Sequence, residues 1–177
     1  MTSDPHALAT PSAWVGRWAD QVPRAGRVLD VACGNGRHAR FLAALGHPVE
    51  AVDRDPALLA AIAEVPGVVT RQADLEGGPW PYPAERFAGI VVVNYLHRPL
   101  FPHLLAALAA PGVLIYETFA AGNERYGRPA NPDFLLRPGE LLDLARGKLR
   151  VIAYEDLLVT DPKLALVQRI VAIREQE

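Results

Sequence analysis

The chain has 177 residues, 18 basic side chains against 20 acidic ones, a formal charge of −2, half of its residues hydrophobic and 21% charged. That balance suits one globular domain with a sizeable core, spanning 1–177, and excludes a disordered tail or a surface built to neutralise nucleic-acid phosphates. The lone cysteine, Cys33, excludes an intramolecular disulfide and a cysteine-based metal site, so no metal is expected and a cytoplasmic setting is.

The opening residues, MTSDPHALATPSAW, lack the basic start and apolar run of a secretion signal, and no stretch reaches the roughly 18 apolar residues of a membrane span. Ser12 then caps a predicted helix over 12–22, with Trp14, Trp18 and Val22 four apart on one face. RVLDVACGNG joins an apolar strand to a glycine turn, and RHARFLAALG reads as a helix ended by Gly46. PVEAVDRD is a second strand, followed by a helix with Asp55 as cap and Pro56 at its first position. VVTRQADL is a third strand. FAGIVVVNYL is a fourth, apolar on both faces as a central parallel strand would be.

EGGPWPYPAER is too rich in Gly and Pro for a helix, so that crossover reduces to a loop. A helix within RPLFPHLLAALAAPG stops before Pro111-Gly112, and VLIYETF is a fifth strand. A long turn-rich segment follows, then the short helix GELLDLARG and two final strands, LRVIAYEDLLV and KLALVQRIVAIRE, joined at Asp161-Pro162. The order predicts a doubly wound, Rossmann-like α/β fold. Its seven-stranded sheet is mostly parallel, with one antiparallel strand in a C-terminal hairpin and helices on both faces.

In VLDVACGNGRHA, Gly34 and Gly36 let the backbone approach a ligand closely. The pattern Gly34-x-Gly36-x-x-Ala39, with Asp53 seventeen residues after Gly36, also satisfies a dinucleotide fingerprint. Asp30 weighs against that reading, because a carboxylate two residues before Ala32 would repel a pyrophosphate and welcome an ammonium group.

VLDVACGNGRHARFLAALGHPVEAVDRDPALL resembles motif I through the second strand of class I S-adenosylmethionine-dependent methyltransferases, and the element order matches them along the whole chain. HARFLAALGH and the small size are similar to tellurite-resistance-type members. The resemblance implies S-adenosyl-L-methionine as cofactor. Gly34 and Gly36 would hold its methionine part, with Asp30 ordering that region and Asn94 near it. Asp53 with the adjoining Arg54 would take the ribose, and Asp74 with Leu75 the adenine. Ala32 stands where glycine is frequent, and Phe87-Ala88 replaces a frequent Phe-Asp. Asn94-Tyr95-Leu96-His97 lacks the Pro-Pro-aromatic motif of amino-group methyltransferases of DNA, which disfavours base methylation.

A small-molecule acceptor is expected beyond the carboxyl end of the fourth strand. His97 is the candidate base, and Tyr95, Tyr116, Glu117, Glu124 and Arg128 are the candidate acceptor pocket. Residues 120–131 are the candidate lid, with Gly122 and Gly127 as hinges. His38 and Cys33 read as packing side chains. The competing readings are a non-catalytic cofactor-binding regulator and an NAD(P)-binding protein.

Overall fold

Side chains alternate across a strand, so a strand covered by helices on both sides must be apolar at every position. The computed structural model, which describes residues 10–176, shows this in its centre. The signal-free reading of the first residues rests largely on residues 1–9, outside the described residues. The strands are β1 (Val28–Val31), β2 (Val49–Asp53), β3 (Val68–Gln72), β4 (Phe87–Val93), β5 (Leu108–Phe119), β6 (Arg150–Val159) and β7 (Ala165–Arg174). They form one sheet in the order β3-β2-β1-β4-β5-β7-β6. Only β7 runs antiparallel to its neighbours, pairing with β5 on one side and β6 on the other. The expected doubly wound sheet and its C-terminal hairpin are both present.

Helices α1 (Ala13–Trp18), α2 (Arg37–Ala44), α3 (Pro56–Ala60), α4 (Phe101–Ala107) and α5 (Glu140–Ala145) cover the sheet. Leu29, Val31, Ile90, Val92, Leu114 and Tyr116 face one core layer with Leu104, Leu105, Leu141 and Leu144. Val28, Val91, Val113 and Ile115 face the other with Trp14, Val15, Ala39, Leu42 and Ile62. The unbroken Ile90-Val91-Val92-Val93 run thus divides between two layers. The edge strands β3 and β6 are the exposed ones.

Two caps stand where the sequence puts them. Ser12 Oγ accepts from the amides of Trp14 and Val15, and Asp55 accepts from Ala57 with Pro56 at the first helical position. Two boundaries move. The first helix narrows after Trp18 into a 3-10 turn at Ala19–Gln21. The fourth ends at Ala107, where Arg174 donates to the carbonyls of Leu105 and Leu108 and so takes up helix-end acceptors. Strand β5 begins there, with Leu108 beside Phe87, and bulges before Val113 pairs with Gly89.

Candidate active site

Parallel strands end together on one side of the sheet, and the turn between β1 and α2 lies at that end. Its backbone is left-handed at Gly34 (φ 55°) and Gly36 (φ 73°). Asp53, closing β2, holds this turn from the side: Gly34 N–H donates to Oδ2 at 2.9 Å and Asp55 N–H donates to Oδ1 at 3.0 Å.

Asp30 works from beneath. It is 2% exposed, and its Oδ2 accepts from the amide of Ala39 in α2 at 3.0 Å. Burial pushes its carboxyl up to about 8, against the pull of the Ala39 amide and Arg37. The native chain therefore holds a proton that the unfolded chain releases near the ordinary value of 3.8. The stability this lends is complete below about pH 4 and is lost as pH rises through about 8. Asp30→Asn keeps an oxygen for Ala39 and removes the titration, so its stability relative to wild type is expected to be higher at pH 8 than at pH 5. Urea unfolding at the two pH values checks this, and an equal difference at both would refute it.

Beside Asp53 opens a cleft of about 270 Å³ lined by Ala32, Asp53, Arg54, Ala73, Asp74, Leu75, Glu76 and Tyr95. Asp74 Oδ1 accepts from the amides of Glu76 and Gly77, which hold its carboxyl below the usual range. Tyr95 reaches over the cleft, its hydroxyl donating to Glu76 Oε1 at 3.3 Å. Carboxylate acceptors over an apolar floor suit a guest with hydroxyl and amine donors on a flat body.

A second cavity, of about 310 Å³, lies towards β5 and β7, with Ser12, Arg37, Asn94, Glu117, Phe119, Val167 and Arg169 in its walls. A third, of about 250 Å³, takes in Asn94, Tyr95, Thr118, Phe119 and Phe134. Asn94, left-handed at φ 57°, belongs to both, and Tyr95 joins the third to the cleft, so the spaces meet at the turn after β4. Glu117 is fixed on two sides: Ser12 Oγ donates to Oε1 at 2.7 Å and Arg169 Nη1 to Oε2 at 3.2 Å. The amide of Ser12 in turn donates to Nε2 of buried His38 at 3.1 Å, and burial pushes that imidazole down to about 3. His38 is therefore neutral and ties the segment before α1 to the site.

Several residues expected at the acceptor side stand elsewhere. Tyr116 is 1% exposed in the core and lines no acceptor space; its hydroxyl donates to the carbonyl of Tyr95 at 2.8 Å and so steadies the turn after β4. Glu124 is exposed and folds back onto the amide of Gly122. Arg128 is exposed, and its carbonyl accepts from Lys163. Both stand outside the three spaces. So does His97, which lies within electrostatic reach of Asp74 instead. The Cys33 thiol is buried and pushed up by burial, as a packing side chain would be. Ser12, Arg37, Phe119, Lys163 and Arg169 were missed. Arg37 follows Gly36 directly and was legible, whereas Arg169 joins the site through the antiparallel register of β7 and Lys163 through the turn before that strand.

Residues 28–110 match a family model described as a methyltransferase domain. No curated protein is significantly similar in sequence. Among solved structures, TehB from Haemophilus influenzae superposes with a TM-score of 0.74 at 17% identity, covering 94% of this chain and 62% of that one. This chain thus spans less than two thirds of that protein. A TehB-like S-adenosylmethionine-dependent methyltransferase from Corynebacterium glutamicum gives 0.68 at 22% identity, covering 96% and 92%. The 1,6-didemethyltoxoflavin-N1-methyltransferase of Burkholderia thailandensis, solved with its substrate and S-adenosylhomocysteine, gives 0.71 at 18%, covering 98% and 80%. The sheet order and the superpositions give this chain the fold of these S-adenosylmethionine-dependent methyltransferases, and its residues 28–110 match a methyltransferase domain.

Proposed function

We propose that the chain transfers the methyl group of S-adenosylmethionine to a small-molecule acceptor by in-line displacement, in the cytoplasm. One observation carries the reading: the carboxylate-lined cleft adjoins, through Tyr95 and then Asn94 in the space of about 250 Å³ between them, a separate cavity of about 310 Å³, and that cavity suits a small molecule. The Burkholderia enzyme, solved with bound 1,6-didemethyltoxoflavin, is consistent with this.

The residues present fit the cofactor. Asp53 and Arg54 would take the ribose, Asp74, Leu75 and Ala32 the adenine, and the backbone at Gly34 and Gly36 with Asn94 the amino-acid end. Asp30 acts by ordering α2. When bound, the cofactor supplies an already activated methyl group, so the chain's work is to orient an acceptor and exclude water. Glu117, clamped by Ser12 and Arg169, accepts a hydrogen bond from the acceptor's nucleophilic group. The candidate lid shortens: Asn123 is buried, with Leu166 N–H donating to its Oδ1 and its own Nδ2 donating to the Pro129 carbonyl, so closure falls to the exposed residues beyond it.

Thermal unfolding with S-adenosylhomocysteine, S-adenosylmethionine and NAD, followed by labelled methyl transfer to thiols, amines and hydroxy-aromatics, tests the proposal. Stabilisation by the first two with a labelled product is expected. Stabilisation by NAD alone would overturn it, and binding without any product would favour a regulatory module.

A further inference from the structure

A guanidinium carries five N–H donors, and one taken partly out of water is costly unless those donors are met. Arg37, the first residue of α2, is half-buried in the wall of the 310 Å³ cavity. Among the described residues its one side-chain hydrogen bond runs from Nη1 to the carbonyl of Thr10 at 3.3 Å. No carboxylate among the described residues lies within ion-pair distance of it.

The other charges of the cavity are accounted for. Arg169 is divided between Glu117 and Glu155. Lys163 donates to the Arg128 carbonyl and stands 5.0 Å from the centre of the Phe119 ring. Asp161 lies at the exposed hairpin turn. The first turn of a helix is also where the dipole disfavours a cation, so this arginine gains nothing there from its own helix.

We infer that Arg37 forms a carboxylate subsite at the end of the cavity next to Gly36, its guanidinium meeting the two oxygens of a bound acid. The inference rests on the methyltransferase reading for its two sources of ligand, the amino-acid carboxylate of the cofactor or a carboxylate on the acceptor. Of the two cavity cations without an ion pair among the described residues, Lys163 also meets the Phe119 ring, which leaves a single negative charge to match Arg37. A dianionic phosphate would leave excess charge beside Glu117, which acts electrostatically on Arg37.

The test is calorimetric binding to the full chain and to Arg37→Gln and Arg37→Lys. The probes are S-adenosylhomocysteine, 5′-methylthioadenosine, which keeps the nucleoside and lacks the amino-acid carboxylate, and benzoate, titrated with and without S-adenosylhomocysteine. With the cofactor as source, Arg37→Gln weakens S-adenosylhomocysteine by about 10- to 100-fold and leaves 5′-methylthioadenosine unchanged. With the acceptor as source, both nucleosides bind unchanged and benzoate binding is lost. In either case Arg37→Lys recovers part of the affinity.

Equal weakening of both nucleosides, or no change with any probe, would overturn the subsite. Benzoate binding through Arg37 in a chain that binds neither nucleoside would keep the subsite and overturn the methyltransferase reading. Absence of all binding to the wild-type chain would overturn both.

Discussion

Asp53→Ala is expected to weaken S-adenosylhomocysteine binding by about 100-fold. A hydrogen bond to a charged group contributes roughly 1.5–3 kcal/mol, and about 1.4 kcal/mol is a factor of ten. The carboxylate would serve two ends at once: it would accept from the ribose, and it already accepts from Gly34 N–H, so its loss also frees the turn that the guest must meet. Asp53→Asn keeps an acceptor for Gly34 without the charge and is expected to fall between the two. Calorimetry decides, and an Asp53→Ala affinity equal to wild type would place the ribose elsewhere.

The largest loss of stability is expected from Gly36→Ala. A Cβ at position 36 would stand 2.6 Å from Ile62 Cγ2 and 2.7 Å from Cδ1, on a backbone with φ of 73°. Ile62 is fully buried and has no room to retreat. Left-handed strain of about 1–2 kcal/mol and overpacking of about 1–3 kcal/mol add to roughly 2–5 kcal/mol. At this chain length that lowers Tm by roughly 4–20 °C. Adding Ile62→Ala should remove the clash and leave the strain, plus the cost of its own cavity. Gly34→Ala is the contrast, because its Cβ would meet nothing within 4 Å, so only the left-handed strain at φ 55° remains and a smaller loss of Tm with weakened cofactor binding is expected. Thermal unfolding of the two variants side by side checks the pair, and equal Tm values would refute the contrast.

How much could be read from the residues follows from how far apart the contributing residues lie. The turn from β1 into α2, the caps at Ser12 and Asp55 and the cleft from Ala32 to Tyr95 are built within or between neighbouring units, and composition and spacing carry them. The acceptor side is different. Tyr116 and Glu117 were both expected to face it, but adjacent strand residues point to opposite faces, so only Glu117 lines the cavity while Tyr116 enters the core. His97 was expected there from its place after β4, yet the chain turns at once into Arg98–Leu100, where Arg98 is drawn to Glu140. Arg169 reaches Glu117 because the two are register partners across β5 and β7, a pairing that no local pattern announces.

The two halves of the site draw on different stretches of chain. The cleft uses residues 32–95, within the span of the family model, whereas the cavity takes walls from 10–13 and from 159–169, outside it. On the proposed reading, drift in those outer stretches can exchange one acceptor for another while the nucleoside grip stays as it is. Divergence of chemistry within such a lineage is then a matter of its flanks, and a shared central motif is a poor guide to what each descendant methylates.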